Sequence, residues 1–368
     1  MENNFEINDG TPTLSARGWA VTGLLLATLA FALPGLWKRV EPYSPGADYR
    51  FPYELNYDYW LYSRWIGKAM DRYPAFVFGD SVVWGQYAGS AETLSAHLNR
   101  ALGADTFANA GIDGMHPAAL GGLIHTYAGA VRNRKVLVQC NPLWMSSPRH
   151  DLQAREDDQR FNHPRLVPQG IPQIPAVRST VPEAGGILLE RQIPLLTWAR
   201  HLQLAYLENL DLNQWSMMYP HANPLKAFTA ELPQHDVRPR SRAVPWTQGG
   251  IGVQDFDWVE LDTSIQWREF RRALERLQAR GNRVFVLVGP FNTHLMTPRS
   301  RERYETLRQG IESGLEAMGI PCAADLQLPS DLFADASHPL DAGYRQLAAD
   351  LLADPEFRAW LEVRDPPG

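Results

Sequence analysis

Residues 75–85 read AFVFGDSVVWG. Ala75–Phe78 is a short, wholly apolar run that stops at Gly79-Asp80-Ser81. An apolar run of that length, closed by glycine, reads as a strand buried on both faces. The pattern then repeats along the chain. Residues 90–102 place Leu94, Leu98 and Leu102 at helical spacing, with Ser90 as the candidate cap. Thr106–Ala108 reads as a second strand ending in Asn109-Ala110-Gly111, and 117–131 as a helix with Pro117 in its first turn. Val136–Gln139 is a third strand. Farther on come a helix over 265–280 ended by Gly281, a strand at Val284–Val288 and a helix over 300–318 ended by Gly319. A weak strand at Ile320–Asp325 and a helix over 340–352 complete the series. Short apolar strands alternating with helices predict an α/β fold, with a parallel sheet covered on both faces. In such sheets function collects at the C-terminal strand ends. The polar residues fall there: Asp80, Ser81, the segment 109–114, Asn141, Asn292 and His294.

Two motifs carry chemistry. Gly79-Asp80-Ser81 sits at a strand-to-helix turn, which can present a hydroxyl beside backbone amides suited to negative charge. Asp335-Ala336-Ser337-His338-Pro339 precedes the last helix. A serine hydroxyl needs a base, histidine suits that role, and a carboxylate orients it. Together these motifs resemble the SGNH (GDSL-like) hydrolase superfamily, over roughly residues 73–145 and 265–353. Its first block is matched by Gly79, Asp80, Ser81 and Gly85, its second by Asn109 to Gly114, and its last by Asp335 and His338. The third block departs from the family's G-x-N-D: here it is Gln139-Cys140-Asn141-Pro142, with the asparagine kept and the glycine and aspartate missing. The resemblance implies a flavodoxin-like doubly wound parallel sheet of about five strands. It implies Ser81 as nucleophile, His338 as base and Asp335 as its orienter. The oxyanion would be held by the amides of Ser81 and Gly114 and by the Asn141 side chain. Asn292 and His294 are candidate substrate contacts, with local turn hydrogen bonding as the rival role, and His116 is a weaker candidate. The family needs no cofactor and no metal, and no cluster here has metal-ligand spacing.

The rhythm breaks between 142 and 263, where prolines recur from Pro164 to Pro245 and one helix is expected, over about 187–211. So long an irregular stretch reads as an insertion after strand three that caps the site. Near the N-terminus, GWAVTGLLLATLAFALPGLW (18–37) holds no charge and is long enough to cross a bilayer, with Trp19 and Trp37 near the two interfaces. The form Ala30-Phe31-Ala32 also suits signal cleavage, but Glu2, Glu6 and Asp9 in the leading segment favour an uncleaved anchor. A buried helix of a soluble protein is the third reading. The chain thus divides into a polar tail (1–17), a transmembrane anchor (18–37), an aromatic-rich juxtamembrane segment (38–72), a first SGNH part (73–141), the cap insertion (142–263) and a second SGNH part (264–368).

Net charge is −6 with dispersed signs, which argues against nucleic acid as a partner. Cys140 and Cys322, the only cysteines, sit in or beside apolar runs and read as buried thiols. Anchor, SGNH domain and insertion together resemble the proteins that move acyl groups onto envelope polymers, as in alginate acetylation and teichoic-acid D-alanylation. That architecture implies an extracytoplasmic catalytic domain, an acyl-ester or carbohydrate substrate and a membrane-bound O-acyltransferase as partner. Lys38 and Arg39 pull the other way, toward a cytoplasmic placement. Esterase and O-acyltransferase share the same triad; a catalytically inactive binding or assembly protein is the third class.

Overall fold

The computed structural model describes residues 14–154, 161–170, 174–177, 179–232, 238–239 and 243–363. The tail before Leu14, Pro172 and Pro233 of the insertion, and 364–368 lie outside the described residues.

Five strands form one sheet: β1 (Ala75–Phe78), β2 (Phe107–Asn109), β3 (Lys135–Cys140), β4 (Arg283–Val288) and β5 (Cys322–Ala323). Their order is β2-β1-β3-β4-β5, and every pairing is parallel. The expected strands are present, though the fifth keeps only two residues. Pro321 has no N–H to donate, so pairing before Cys322 is limited to its carbonyl, which accepts from Val286. The helices are α1 (Ala16–Val40), α2 (Tyr59–Arg72), α3 (Ser81–Trp84), α4 (Leu94–Leu102), α5 (Pro117–Thr126), α6 (Val181–Gln192), α7 (Pro194–Tyr206), α8 (Leu212–Met218), α9 (Pro224–Ala227), α10 (Ile265–Ala279), α11 (Pro298–Ala317), α12 (Asp341–Ala353) and α13 (Pro355–Glu362).

Strand residues alternate between two cores, as a period of two requires. Phe76, Phe78, Val136, Val138, Val284 and Val286 pack with residues of α2, α5, α10 and α11. Val77, Leu137, Phe285 and Leu287 face the other way, onto α4, α12 and α13. Helices on both faces explain why the strands are apolar throughout rather than alternately polar. The chain crosses from β1 outward to β2 and then back past β1 to β3. The crevice where strand order reverses therefore lies at the C-terminal ends of β1 and β3, the usual ligand position in open α/β sheets.

Several local expectations change. Thr93, not Ser90, caps α4, its hydroxyl accepting from the Ala96 amide; Ser90 begins a separate 3-10 turn. The helix expected over 187–211 is two helices, α6 and α7. Pro194 cannot donate to the preceding turn, so the first helix stops and Pro194 starts the second. The aromatic-rich segment 38–72 includes a packed helix. Asp58 caps α2, which buries Tyr59, Trp60, Tyr62, Trp65 and Ile66.

α1 is 25 residues long, apolar and largely uncovered, so it is long and apolar enough to cross a membrane. Its last turns are covered by α7. Trp37 packs edge-on against Trp198 and Tyr206, with ring centroids 5.8 and 6.1 Å apart. Just beyond α1, Glu41 is wholly buried and accepts from Trp37, His201, Tyr206 and Arg64. His201, also fully buried, meets Glu41 at 2.8 Å through Nε2 and Asp58 at 2.6 Å through Nδ1. Burial disfavours its charge, but the two carboxylates outweigh that and raise its pKa to about 9.

Candidate active site

β1 ends in a turn that cannot hold a side chain at position 79. A Cβ on Gly79 would lie 2.5 Å from Val83 Cγ2 and 2.8 Å from Gln139 Oε1. Asp80 then caps α3, one carboxylate oxygen accepting from the Val82 amide at 2.9 Å. Ser81 follows as the first residue of α3, with its hydroxyl at the sheet's C-terminal edge. Ser81 Oγ lies 2.8 Å from His338 Nε2. His338 Nδ1 lies 2.8 Å from both oxygens of Asp335. With the imidazole neutral and its proton on Nδ1, the hydroxyl donates to Nε2 and Nδ1–H donates to the carboxylate.

Asp335 and His338 share a tight loop. Ala334 N donates to the His338 carbonyl, and Asp335 Oδ1 accepts from the Ser337 and His338 amides, both at 3.0 Å. Burial works against ionised Asp335, but His338 and those two amides prevail and its pKa falls below the ordinary value. For His338, burial opposes the charged form, yet the Asp335 hydrogen bond and charge, with Asp80 and Asp113 behind, raise its pKa above the ordinary value. Tyr87 stands edge-on to the imidazole, 5.5 Å between centroids.

Asp80, quoted in the sequence motif but given no role there, supports the site. Its second oxygen accepts from Asn141 Nδ2 and from Trp144 Nε1, each at 2.8 Å. Burial raises its pKa despite these donors. One N–H of the Asn141 amide is thereby committed to Asp80, and the other is not. Gln139 fills the gap beside Gly79 and donates through Nε2 to the Gly289 carbonyl at 3.2 Å, tying the β3 end to the β4 end. The Asp80 side chain was legible in the motif; Trp144, three residues past Asn141, gave no separate signal.

The loop after β2 approaches the same edge. Asn109 holds it to α3, donating to the Val83 carbonyl at 2.8 Å and accepting from the Gly111 amide at 3.0 Å. Gly114 has φ +71°, and a Cβ there would lie 2.2 Å from the Asn162 amide. Among the described residues, the backbone amides of Ser81 and Gly114 donate to no protein acceptor. Buried histidines back this loop. His163 donates through Nε2 to the Asp113 carbonyl at 2.8 Å and accepts from Tyr59. His116, wholly buried, bonds the Asn162 carbonyl and Gln266. Burial lowers both pKa values to about 4, so both are neutral supports.

Asn292 is fully buried; its amide groups donate to the Asp335 and Ala336 carbonyls at 3.2 and 2.8 Å. It therefore braces the loop that carries Asp335 and His338. His294 is exposed in the following turn. Of the insertion tryptophans, Trp144 adjoins the triad through Asp80. Trp198 covers α1, Trp215 stacks near Tyr219, and Trp246 and Trp258 bond Ser330 and Ser300 within the cores. Among the described residues no group of His, Cys, Asp and Glu is arranged to hold a metal ion. No family model matches the sequence, and no curated protein matches it.

Proposed function

We propose that the protein is a membrane-anchored serine esterase or O-acyltransferase of the SGNH type, acting on acyl esters of a carbohydrate or envelope polymer. The observation that carries this reading is the chain Ser81–His338–Asp335, with 2.8 Å at each link, at the C-terminal edge of a parallel sheet. Ser81 Oγ attacks the acyl carbonyl carbon while His338 Nε2 takes the hydroxyl proton. The bond to the leaving alcohol then breaks, and His338 returns the proton to that oxygen. Acyl-Ser81 remains. Water or an acceptor hydroxyl attacks it with His338 again as base, giving an acid or a new ester and restoring Ser81. Asp335 stays ionised and orients the ring throughout. The unpaired amides of Ser81 and Gly114, with the free N–H of Asn141, suit the oxyanion; one such donor stabilises the transition state by about 3 kcal/mol. The exposed His294, beyond β4, is the proposed substrate contact, while Asn292 acts on the reaction by holding the loop.

A fluorophosphonate probe tests the nucleophile. The full chain should be labelled and Ser81→Ala should not; equal labelling of both would remove Ser81 from the role. Aryl acetate turnover with and without polysaccharide acceptors then separates the two activities. Transfer appears as acylated polymer at the expense of free acetate. An extracytoplasmic catalytic domain and a membrane-bound O-acyltransferase partner belong to the same proposal, supported by the pairing of α1 with this site. Cleavage of the domain by protease added outside intact cells or spheroplasts tests the orientation.

A further inference from the structure

We propose that α6 and α7, with the α8–α9 segment beyond them, form a second membrane element that lies in the lipid interface beside the C-terminal end of α1. This rests on reading α1 as the anchor. Toward that end of α1 the covered residues are Ala30, Leu33, Pro34 and Trp37, spaced as one helix face. α7 is the helix that packs there. If Trp37 marks the interface, Ala30 lies about 10 Å deeper at 1.5 Å per residue. Whatever covers that face is at bilayer depth too, so its outward surface meets lipid. The surface is built for this. Outside α1 and its flanking Leu14, eight of the twelve large hydrophobic side chains exposed among the described residues fall within 181–225. They include Leu188 and Leu189 on α6, Leu196 on α7, and Met217 and Met218 on α8, the last two 82% and 59% exposed. Residues 181–228 hold seven Asp, Glu, Lys or Arg side chains, three of them on α6 (Glu183, Glu190 and Arg191) and four beyond it: Arg200, Glu208, Asp211 and Lys226; His201 is buried at the junction with Glu41 and Asp58. Aromatic contacts run without a break from Trp37 through Tyr206 to Phe228, which joins this surface to the anchor. An amphipathic helix lying in the interface buries its apolar face about 5–10 Å into the headgroup boundary. Lipid is the occupant argued for because the surface continues the lipid-facing side of α1.

Depth-dependent quenching in vesicles tests this with the full chain. Leu189→Cys and Met217→Cys would carry an environment-sensitive fluorophore, with Leu25→Cys in α1 as the membrane reference. Leu102→Cys is the aqueous reference: it is three residues from Asp105, which pairs with Arg72 at the far end of α2 from His201. The unsubstituted chain gives the background from Cys140 and Cys322. In phosphatidylcholine vesicles with a nitroxide near the headgroup end of the acyl chain, positions 189 and 217 should be quenched severalfold more than 102. Quenching at 25 with none above the 102 level at 189 and 217 overturns the proposal and leaves the anchor standing. No quenching at 25 overturns both. Shielding of 189 and 217 from aqueous iodide only when other membrane proteins are added would make the occupant a protein and also overturns it.

Discussion

At the residue scale, the proposed mechanism makes the protonation of His338 set the pH at which Ser81 can lose its proton. Its pKa lies above 6.5, chiefly because Asp335 overcomes the effect of burial. The base form therefore predominates only above that value, and kcat/KM for an aryl acetate should rise with pH through a pKa higher than 6.5. Asp335→Asn removes the main groups that raise the pKa. Its acid limb should move to lower pH, and kcat should fall by roughly 10³–10⁴. An unmoved limb would show that Asp335 does not orient the base. Trp144→Phe probes the neighbouring support. It deletes one of three donors to buried Asp80 and also shortens the ring system, and should lower stability by about 1–3 kcal/mol, read as a lower melting temperature. Turnover should also drop, because Asp80 positions Ser81 and Asn141 together. Ser81, Asp335 and His338, which the structure joins by hydrogen bonds, were legible because each sits in a distinctive local turn. Trp144 was not, because an indole N–H aimed at a carboxylate leaves no mark in the local pattern.

At the element scale, α4, α10, α11 and α12 were readable from leucine spacing and terminal glycines, since each lays one apolar face on the sheet. α7 was expected as part of one helix over 187–211, but where it docks was not readable, because its partners are distant in sequence: Trp37 and Glu41 at the end of α1 and Asp58 at the start of α2. His201 makes that junction an ion cluster with both ring nitrogens donating. A group at 6.5 when unfolded and about 9 when folded contributes fully below 6.5, and loses its contribution as pH rises through 9. The contribution is on the order of 3 kcal/mol. Melting of detergent-solubilised protein should thus fall across that range. In His201→Gln the slope should flatten and the melting temperature should be lower at neutral pH, because two buried carboxylates lose their cation. A wild-type melting temperature that rises from pH 6.5 to 9 would contradict the charge assigned to His201.

At the scale of the whole molecule, α1 and the sheet domain are one packed unit rather than a tethered pair, because α7 packs on both α1 and α2. The full chain should stay with membranes after alkaline carbonate washing, since a span of this length is held by its apolar surface and not by charge. Soluble material beginning at Leu33 would mean cleavage after Ala32, and the signal-peptide reading would replace the anchor. The insertion belongs to this scale as well. Its first residues bring Trp144 to Asp80 and Asn162 to Gly114, and farther on α7 packs on α1 and α2.

The alternation of short apolar runs with amphipathic helices was enough to specify a parallel sheet of about five strands, because each element's burial is written into its own periodicity. The same local chemistry marked Ser81, Asp335 and His338, and the uncharged run 18–37 marked a helix fit to span a bilayer. Strand order, and with it the crevice between β1 and β3, needed the tertiary structure, since pairing depends on residues that are far apart in the chain. So did the roles of Gln139, Trp144, Asn292 and His201. Each acts through one or two hydrogen bonds or ion pairs to distant segments, and such contacts leave no period, cap or turn in the sequence to read.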